Sequence, residues 1–162
     1  MRDINALAPA VREKLWRLRE AAKEHGIEFT VTFTVRTEAE QLALFAQGRK
    51  SPGEVNRLRR DAGLPPITAA ENKVVTKVLT SVHQFGCAFD VALLEPGANT
   101  PTWDTKADFN KNGIPDYEEL GKLGEEMGLR WGGAFRFRDY CHFEYTGGLT
   151  LAELKEGRRP EA

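Results

Sequence analysis

Val11, Leu15, Leu18 and Ala22 recur at helical spacing and predict an amphipathic helix over Pro9 to Glu24, ended by Gly26. Residues 29–35 then alternate and are rich in β-formers, which predicts a strand that runs from Glu28 and closes on Arg36. Thr37 with Glu40 forms a capping box that opens a helix to Gln47, with Gly48 after it. Ser51-Pro52-Gly53-Glu54 starts a short polar helix to about Asp61, on which Arg57, Arg59 and Arg60 read as a solvated face. Gly63-Leu64-Pro65-Pro66 breaks that helix, and the stretch to Thr80 reads as loop or weak strand, placed to border a cleft as a lid. Strands follow at residues 87–94 and 142–145. Between them Asp116 and Glu119 read as a capping pair for a helix with Leu120, Leu123 and Met127 on its apolar face and Gly128 at its end. Thr150 with Glu153 caps a last short helix. The pattern is α+β: a small, mainly antiparallel sheet with helices packed on one face.

A chain of 162 residues, 41% hydrophobic, is enough for one domain with a sizeable core, and there are no repeats or linkers, so residues 1–162 read as a single domain. The net charge of -1 argues against nucleic acid as a partner. No apolar run reaches the ~18 residues of a membrane span, so membrane insertion is not expected. The polar opening, Met1 to Asn5, shows no signal peptide and predicts synthesis in the cytoplasm. Cys87 and Cys141 are expected as reduced thiols turned into the core, and a monomer is the default.

Candidate chemistry changes this picture most. Two of the three histidines fall in Ser81-Val82-His83-Gln84-Phe85-Gly86-Cys87-Ala88-Phe89-Asp90 and Asp139-Tyr140-Cys141-His142-Phe143-Glu144. His83, Asp90 and His142 suit a catalytic zinc, which takes three protein ligands and leaves a fourth position for water. Asp139 would be the general base, its pKa raised by Phe137, Tyr140 and Phe143. His83 and Asp90 have opposite strand parity, so Gly86 marks a break: His83 sits in a loop and the strand begins near Cys87. His142 and Glu144 share a face, with Phe143 and Tyr145 opposite. The alternative is two core strands whose polar residues are unrelated.

The segment Asp108 to Glu119 fits a calcium-loop template, with Asp108, Asn110, Asn112, the Ile114 carbonyl, Asp116 and Glu119 as ligands and Gly113 at the sharp turn. The same residues are compatible with ordinary turn and capping chemistry.

At Ser81, His83, Gly86, Ala88 and Asp90, followed by Asp139 and His142, the chain resembles the zinc peptidases of the D-alanyl-D-alanine carboxypeptidase superfamily, peptidase family M15. Further segments resemble its phage endolysin-like branch of L-alanyl-D-glutamate peptidases: Arg2-Asp3-Ile4 with Leu7-Ala8-Pro9, Val35-Arg36-Thr37 through Gln41 to Gln47-Gly48-Arg49, and Gly128-Leu129-Arg130-Trp131-Gly132-Gly133. Asp139, where the carboxypeptidases usually carry Glu, and the final His-Phe-Glu-Tyr also favour that branch. Residues 51–80 look longer than the branch's usual link.

The resemblance implies a Hedgehog/D-Ala-D-Ala peptidase-like fold with the zinc on the sheet face away from the helices. It implies hydrolysis of the L-Ala-D-Glu bond of peptidoglycan stem peptides, with His83, Asp90 and His142 on zinc and Asp139 as base. Arg36 matches a substrate-contacting arginine and is the candidate oxyanion stabiliser, while Ser81, Gln41 and Trp131 are candidate substrate contacts. No separate wall-binding domain is expected, and release to the wall would depend on a holin or on lysis. A D-Ala-D-Ala carboxypeptidase is the nearest alternative, and a non-catalytic zinc-fold binding protein a more distant one.

Overall fold

A computed structural model describes residues 2–161, which form two compact units: Met1–Val35 with Phe85–Ala162, and Arg36–Gln84. The helices are α1 (Pro9–Glu24), α2 (Glu38–Ala46), α3 (Pro52–Asp61), α4 (Asp116–Glu126) and α5 (Leu151–Lys155). The strands are β1 (Glu28–Phe33), β2 (Ala88–Leu94), β3 (Pro101–Thr102), β4 (Arg130–Trp131) and β5 (His142–Glu144).

All five strands belong to the first unit and pair antiparallel in the order β1-β2-β5-β4, with β3 alongside β2. Phe89 lies opposite Phe143 and their rings stack with centroids 5.6 Å apart. Successive side chains on a strand point to opposite faces, so Asp90 and its partner His142 project from the other side of the sheet. The Phe89 face packs with Val91, Leu93, Val11, Leu15 and Leu18 of α1, and Tyr117, Leu120 and Leu123 of α4. Helices therefore cover one face and leave the other to polar residues, as the sequence predicts.

Helix α1 starts on Pro9, whose missing N–H costs nothing at a first helical position. It closes where the Ile27 N–H folds back on the Ala22 carbonyl at 2.8 Å. Strand β1 is shorter than its alternation suggests. Val31 pairs with Val91 but Phe33 with Asp90, so Thr32 is an extra residue that kinks the strand out of the ladder. Arg36 thus lies in the connection before α2 instead of ending the strand. Helix α4 lacks the expected capping box: no side chain caps its N-terminus, and the Asp116 and Glu119 carboxylates bond to the preceding loop.

In the second unit, Thr37 with Glu40 and Ser51 with Glu54 form the capping boxes of α2 and α3. Residues 62–81 contain neither helix nor strand. Side chains hold them instead. Asn56 pairs with both the N–H and the carbonyl of Ile67, and Asn72 accepts from Gly48 N–H and donates to the Lys50 carbonyl. Arg59 corrects the solvated-face reading of α3: it is buried, and donates to the Pro65 carbonyl and to Gln47 Oε1, both at 2.6 Å. Among the described residues no helix is long and apolar enough to cross a membrane.

Candidate metal centre and active site

His83 sits on a single turn of 3-10 helix, Val82–Phe85, where a loop was expected. Ser81 builds that turn. Its Oγ accepts the His83 N–H, and Gln84 Oε1 accepts the Ser81 N–H at 2.8 Å. The Gln84 N–H goes to the Ser81 carbonyl, so only the Gln84 half of a capping box is formed, on a Ser-x-x-Gln spacing visible in the sequence. Ser81 therefore positions the imidazole-bearing turn, where a substrate or ligand contact was expected. Gly86 then reverses the chain with φ of 69°, and a side chain there would meet the Ala6 carbonyl and the Ala8 nitrogen at 3.0 Å.

Asp90 and His142 face each other across β2 and β5. His142 Nδ1 lies 3.1 Å from Asp90 Oδ1, and Nε2 lies 3.0 Å from Glu144 Oε2. Glu144 also accepts from Arg130 Nη1 at 2.7 Å. Burial works against the charged imidazole, but the hydrogen bonds to Asp90 and Glu144 outweigh it and lift the His142 pKa from 6.5 to about 9 in the metal-free protein.

One donor atom each from His83, Asp90 and His142 lies within 4.8 Å of the others. Among the described residues this is the one group of three or more His, Cys, Asp or Glu side chains that clusters so. Two imidazoles and a carboxylate, largely buried, fit an ion that takes mixed nitrogen and oxygen donors. Glu144 behind His142 completes the fit, because ligating histidines hand their other ring N–H to a carboxylate or carbonyl. The shared face of His142 and Glu144 was legible in the strand parity. The role of Glu144 was not, since its partner Arg130 belongs to another strand.

Asp139 enters on the turn before β5, as expected. Its N–H donates to the Gly132 carbonyl at 2.9 Å, and its own carbonyl accepts the His142 N–H at 3.1 Å. A side chain on Gly132 would sit 2.3 Å from the Asp139 carbonyl oxygen, so only glycine lets the turn close. Of the apolar surround expected for Asp139 only Tyr140 lies beside it: the residue is exposed, Phe137 is 62% exposed, and Phe143 is in the core. Instead the Cys141 thiol donates to Asp139 Oδ1 at 3.1 Å. Parity had placed Cys141 in the core with Cys87. It lies one residue before the strand, partly buried against the core, and both cysteines are free. Burial, with Asp90 and Asp139 nearby, raises the Cys141 pKa and keeps the thiol protonated.

Arg36 Nη1 donates to Gln41 Oε1 at 3.0 Å, and Gln41 Nε2 donates to the Val78 carbonyl at 2.6 Å. Gln41 has no exposed surface, so it holds Arg36 and the loop and does not line a cleft. Trp131 is likewise buried in the core and donates from Nε1 to the Tyr140 carbonyl at 2.9 Å.

In the Asp108–Glu119 loop, Asp108 accepts the Asn112 and Gly113 N–H groups. Asn112 Oδ1 accepts the Ile114 N–H. The Asn110 and Asn112 amides both donate to Glu119 Oε2, and His25 Nδ1 lies 2.8 Å from Glu119 Oε1. Asp116 Oδ1 is buried and takes no hydrogen bond. The loop is thus satisfied largely by its own amides.

A family model described as D-alanyl-D-alanine carboxypeptidase, of the M15 peptidases, matches residues 75–145, the stretch that holds all three clustered donors and Asp139. The peptidoglycan L-alanyl-D-glutamate endopeptidase CwlK of Bacillus subtilis (strain 168) is 31% identical over 139 residues, which cover 85% of this chain and 72% of that protein. The chain belongs to peptidase family M15. Two solved structures share the fold of this M15 chain at 18% identity. One is the L-Ala D-Glu endopeptidase ChiX of Serratia marcescens, with a TM-score of 0.54 over 93% of this chain and 85% of that one. The other is the vancomycin-resistance D,D-pentapeptidase VanY in complex with Zn(II), with a TM-score of 0.52 over 93% of this chain and 76% of that one.

Proposed function

We propose that this M15 peptidase is a zinc-dependent endopeptidase that hydrolyses the L-Ala-D-Glu bond of peptidoglycan stem peptides. The observation that carries the reading is the convergence of His83, Asp90 and His142 donors within 4.8 Å, on a chain 31% identical to an L-alanyl-D-glutamate endopeptidase. A zinc ion held by those three residues would supply a Lewis acid and a water that ionises near neutral pH. Glu144 holds the His142 ring by Nε2 and turns Nδ1 towards Asp90. Asp139 takes the proton of the attacking water on its carboxylate and returns it to the leaving amine. Arg36, held by Gln41, supplies positive charge for the oxyanion.

Mass spectrometry of muropeptides after digestion, with and without chelator, tests this. New free amino groups on D-glutamate, lost with chelator, are expected. Asp139→Ala should abolish the cleavage while zinc stays bound, and normal cleavage by that variant would remove Asp139 from the mechanism. The family model's description favours a second reading, a D-Ala-D-Ala carboxypeptidase, which the same spectra would reveal as release of terminal D-alanine.

Calcium at the Asp108–Glu119 loop is proposed separately. Burial raises the pKa of Asp116, and the charges of Asp108 and Glu119 add to it, so a cation there would relieve the buried Asp116 carboxylate. Calorimetric titration of metal-stripped protein is expected to show one calcium site, and no heat would end the proposal.

A further inference from the structure

A pocket of about 170 Å³ opens beside Asp139, lined by Trp103, Thr105, Arg138 and Tyr140 among others. It is smaller than the ~300–1,000 Å³ of a whole small-molecule site, so it suits one residue of a longer substrate. Arg138 is the one cation among its described lining residues. The guanidinium is fixed at one corner: Nη1 donates to the Tyr140 hydroxyl at 3.0 Å. Tyr140 is itself wedged edge-on between Trp131 and Tyr117, with ring centroids 5.7 and 6.4 Å away. That hydrogen bond uses one of the five N–H donors a guanidinium carries.

We propose that Arg138 and this pocket bind the free α-carboxylate of the residue on the amine side of the scissile bond. The inference rests on the endopeptidase reading above, in which that residue is D-glutamate. Asp139 hands a proton to the leaving nitrogen, so the carbon bearing that nitrogen must come to the pocket Asp139 lines. In a γ-linked D-glutamate the same carbon carries a free carboxylate, two bonds from the nitrogen. That carboxylate is brought close to the Asp139 carboxylate, and like charges at short range repel unless a cation stands beside them. Arg138, next in the chain to Asp139, supplies the cation, and its planar fork matches a carboxylate. Trp103, 55% exposed, offers an indole face to the aliphatic stem of the same residue.

The test compares two synthetic stem peptides that differ only in that group: L-Ala-γ-D-Glu with the α-carboxylate free, and its α-carboxamide. Wild type is expected to prefer the carboxylate in kcat/KM. Arg138→Gln should shrink that preference about fivefold, the scale of an exposed ion pair, and Arg138→Lys should restore part of it. Arg138 is exposed, so neither variant threatens folding. A preference ratio unchanged by Arg138→Gln, with L-Ala-D-Glu cleavage intact, overturns the subsite alone. Cleavage of neither peptide by wild type overturns the endopeptidase reading and this inference with it.

Discussion

Removing Glu144 should weaken zinc binding in a way that depends on pH, and the two directions can be worked separately. In the metal-free protein His142 titrates at about 9. At pH 7.5 its imidazole is therefore neutral in only about one molecule in thirty, and a metal must displace a proton to bind. Asp90 and Glu144 both raise that pKa from 6.5. If they share the rise equally, Glu144→Ala relaxes the proton's competition by about tenfold. Against this, loss of the carboxylate that holds Nε2 removes ring orientation and ligand basicity, a change that typically costs ~10–100-fold in metal affinity. The Arg130 partner adds little, because its side chain is 70% exposed. The opposing effects leave the variant within about tenfold of wild type at pH 7.5, while at pH 9.5, where most of the imidazole is already neutral, most of the ~10–100-fold loss appears. Glu144→Gln keeps an acceptor and the packing but not the charge, and should fall between. Competition against a chromophoric chelator at pH 7.5 and 9.5 measures both. Equal zinc affinity for wild type and Glu144→Ala at pH 9.5 would refute the orienting role.

Three other outcomes are expected. Gly132→Ala forces a methyl to 2.3 Å from the Asp139 carbonyl, so it should cost about 1–3 kcal/mol in thermal unfolding and lower kcat; an unchanged melting point would mean the turn can yield. Arg59→Met strands the Pro65 carbonyl and Gln47 Oε1, at a cost of about 1–3 kcal/mol, and should speed proteolysis within residues 62–81; wild-type resistance would show the loop is held by its other bonds. Metal-free protein should lose stability as pH rises from 6.5 through about 9, because His142 has a folded pKa above its unfolded value. Its contribution, at most about 3 kcal/mol, is fully present below pH 6.5, and urea midpoints equal at pH 6 and 9.5 would contradict it.

Where local rules act alone, the sequence was legible. The periodicity of α1 and the caps of α2 and α5 carry to the structure almost unchanged, because each depends on residues a few positions apart. The break at Gly86 was equally local: a glycine with φ of 69° separates the His83 turn from β2. What failed depends on contacts distant in sequence or on very short elements. Strands β3 and β4 have two residues each, too few for any alternation. Arg59 looked solvated because charge usually marks the outer face of a helix, yet here it replaces a missing strand as the support of a loop. Cys141 packs against the core as parity suggested, but the bond of its thiol to Asp139, made from one residue before the strand, left no mark in the sequence. The expected Asp116 cap lost to the loop because its carboxylate found the Phe109 N–H first.

The Gly132 carbonyl accepts both the Phe135 and the Asp139 N–H groups. Residues 133–138 therefore leave and re-enter the fold at a single atom, like a loop of cord tied at one knot. Asp139 and His142 are fastened on the far side of that knot by a further bond of their own. Phe135 packs its ring 5.9 Å from that of His142, so changes of composition that need not reach Asp139 or His142 are those at Arg136 or Phe137. Such a segment can diversify what it meets at the wall while the chemistry behind it stays in register, which makes it the place to graft new specificity onto this scaffold.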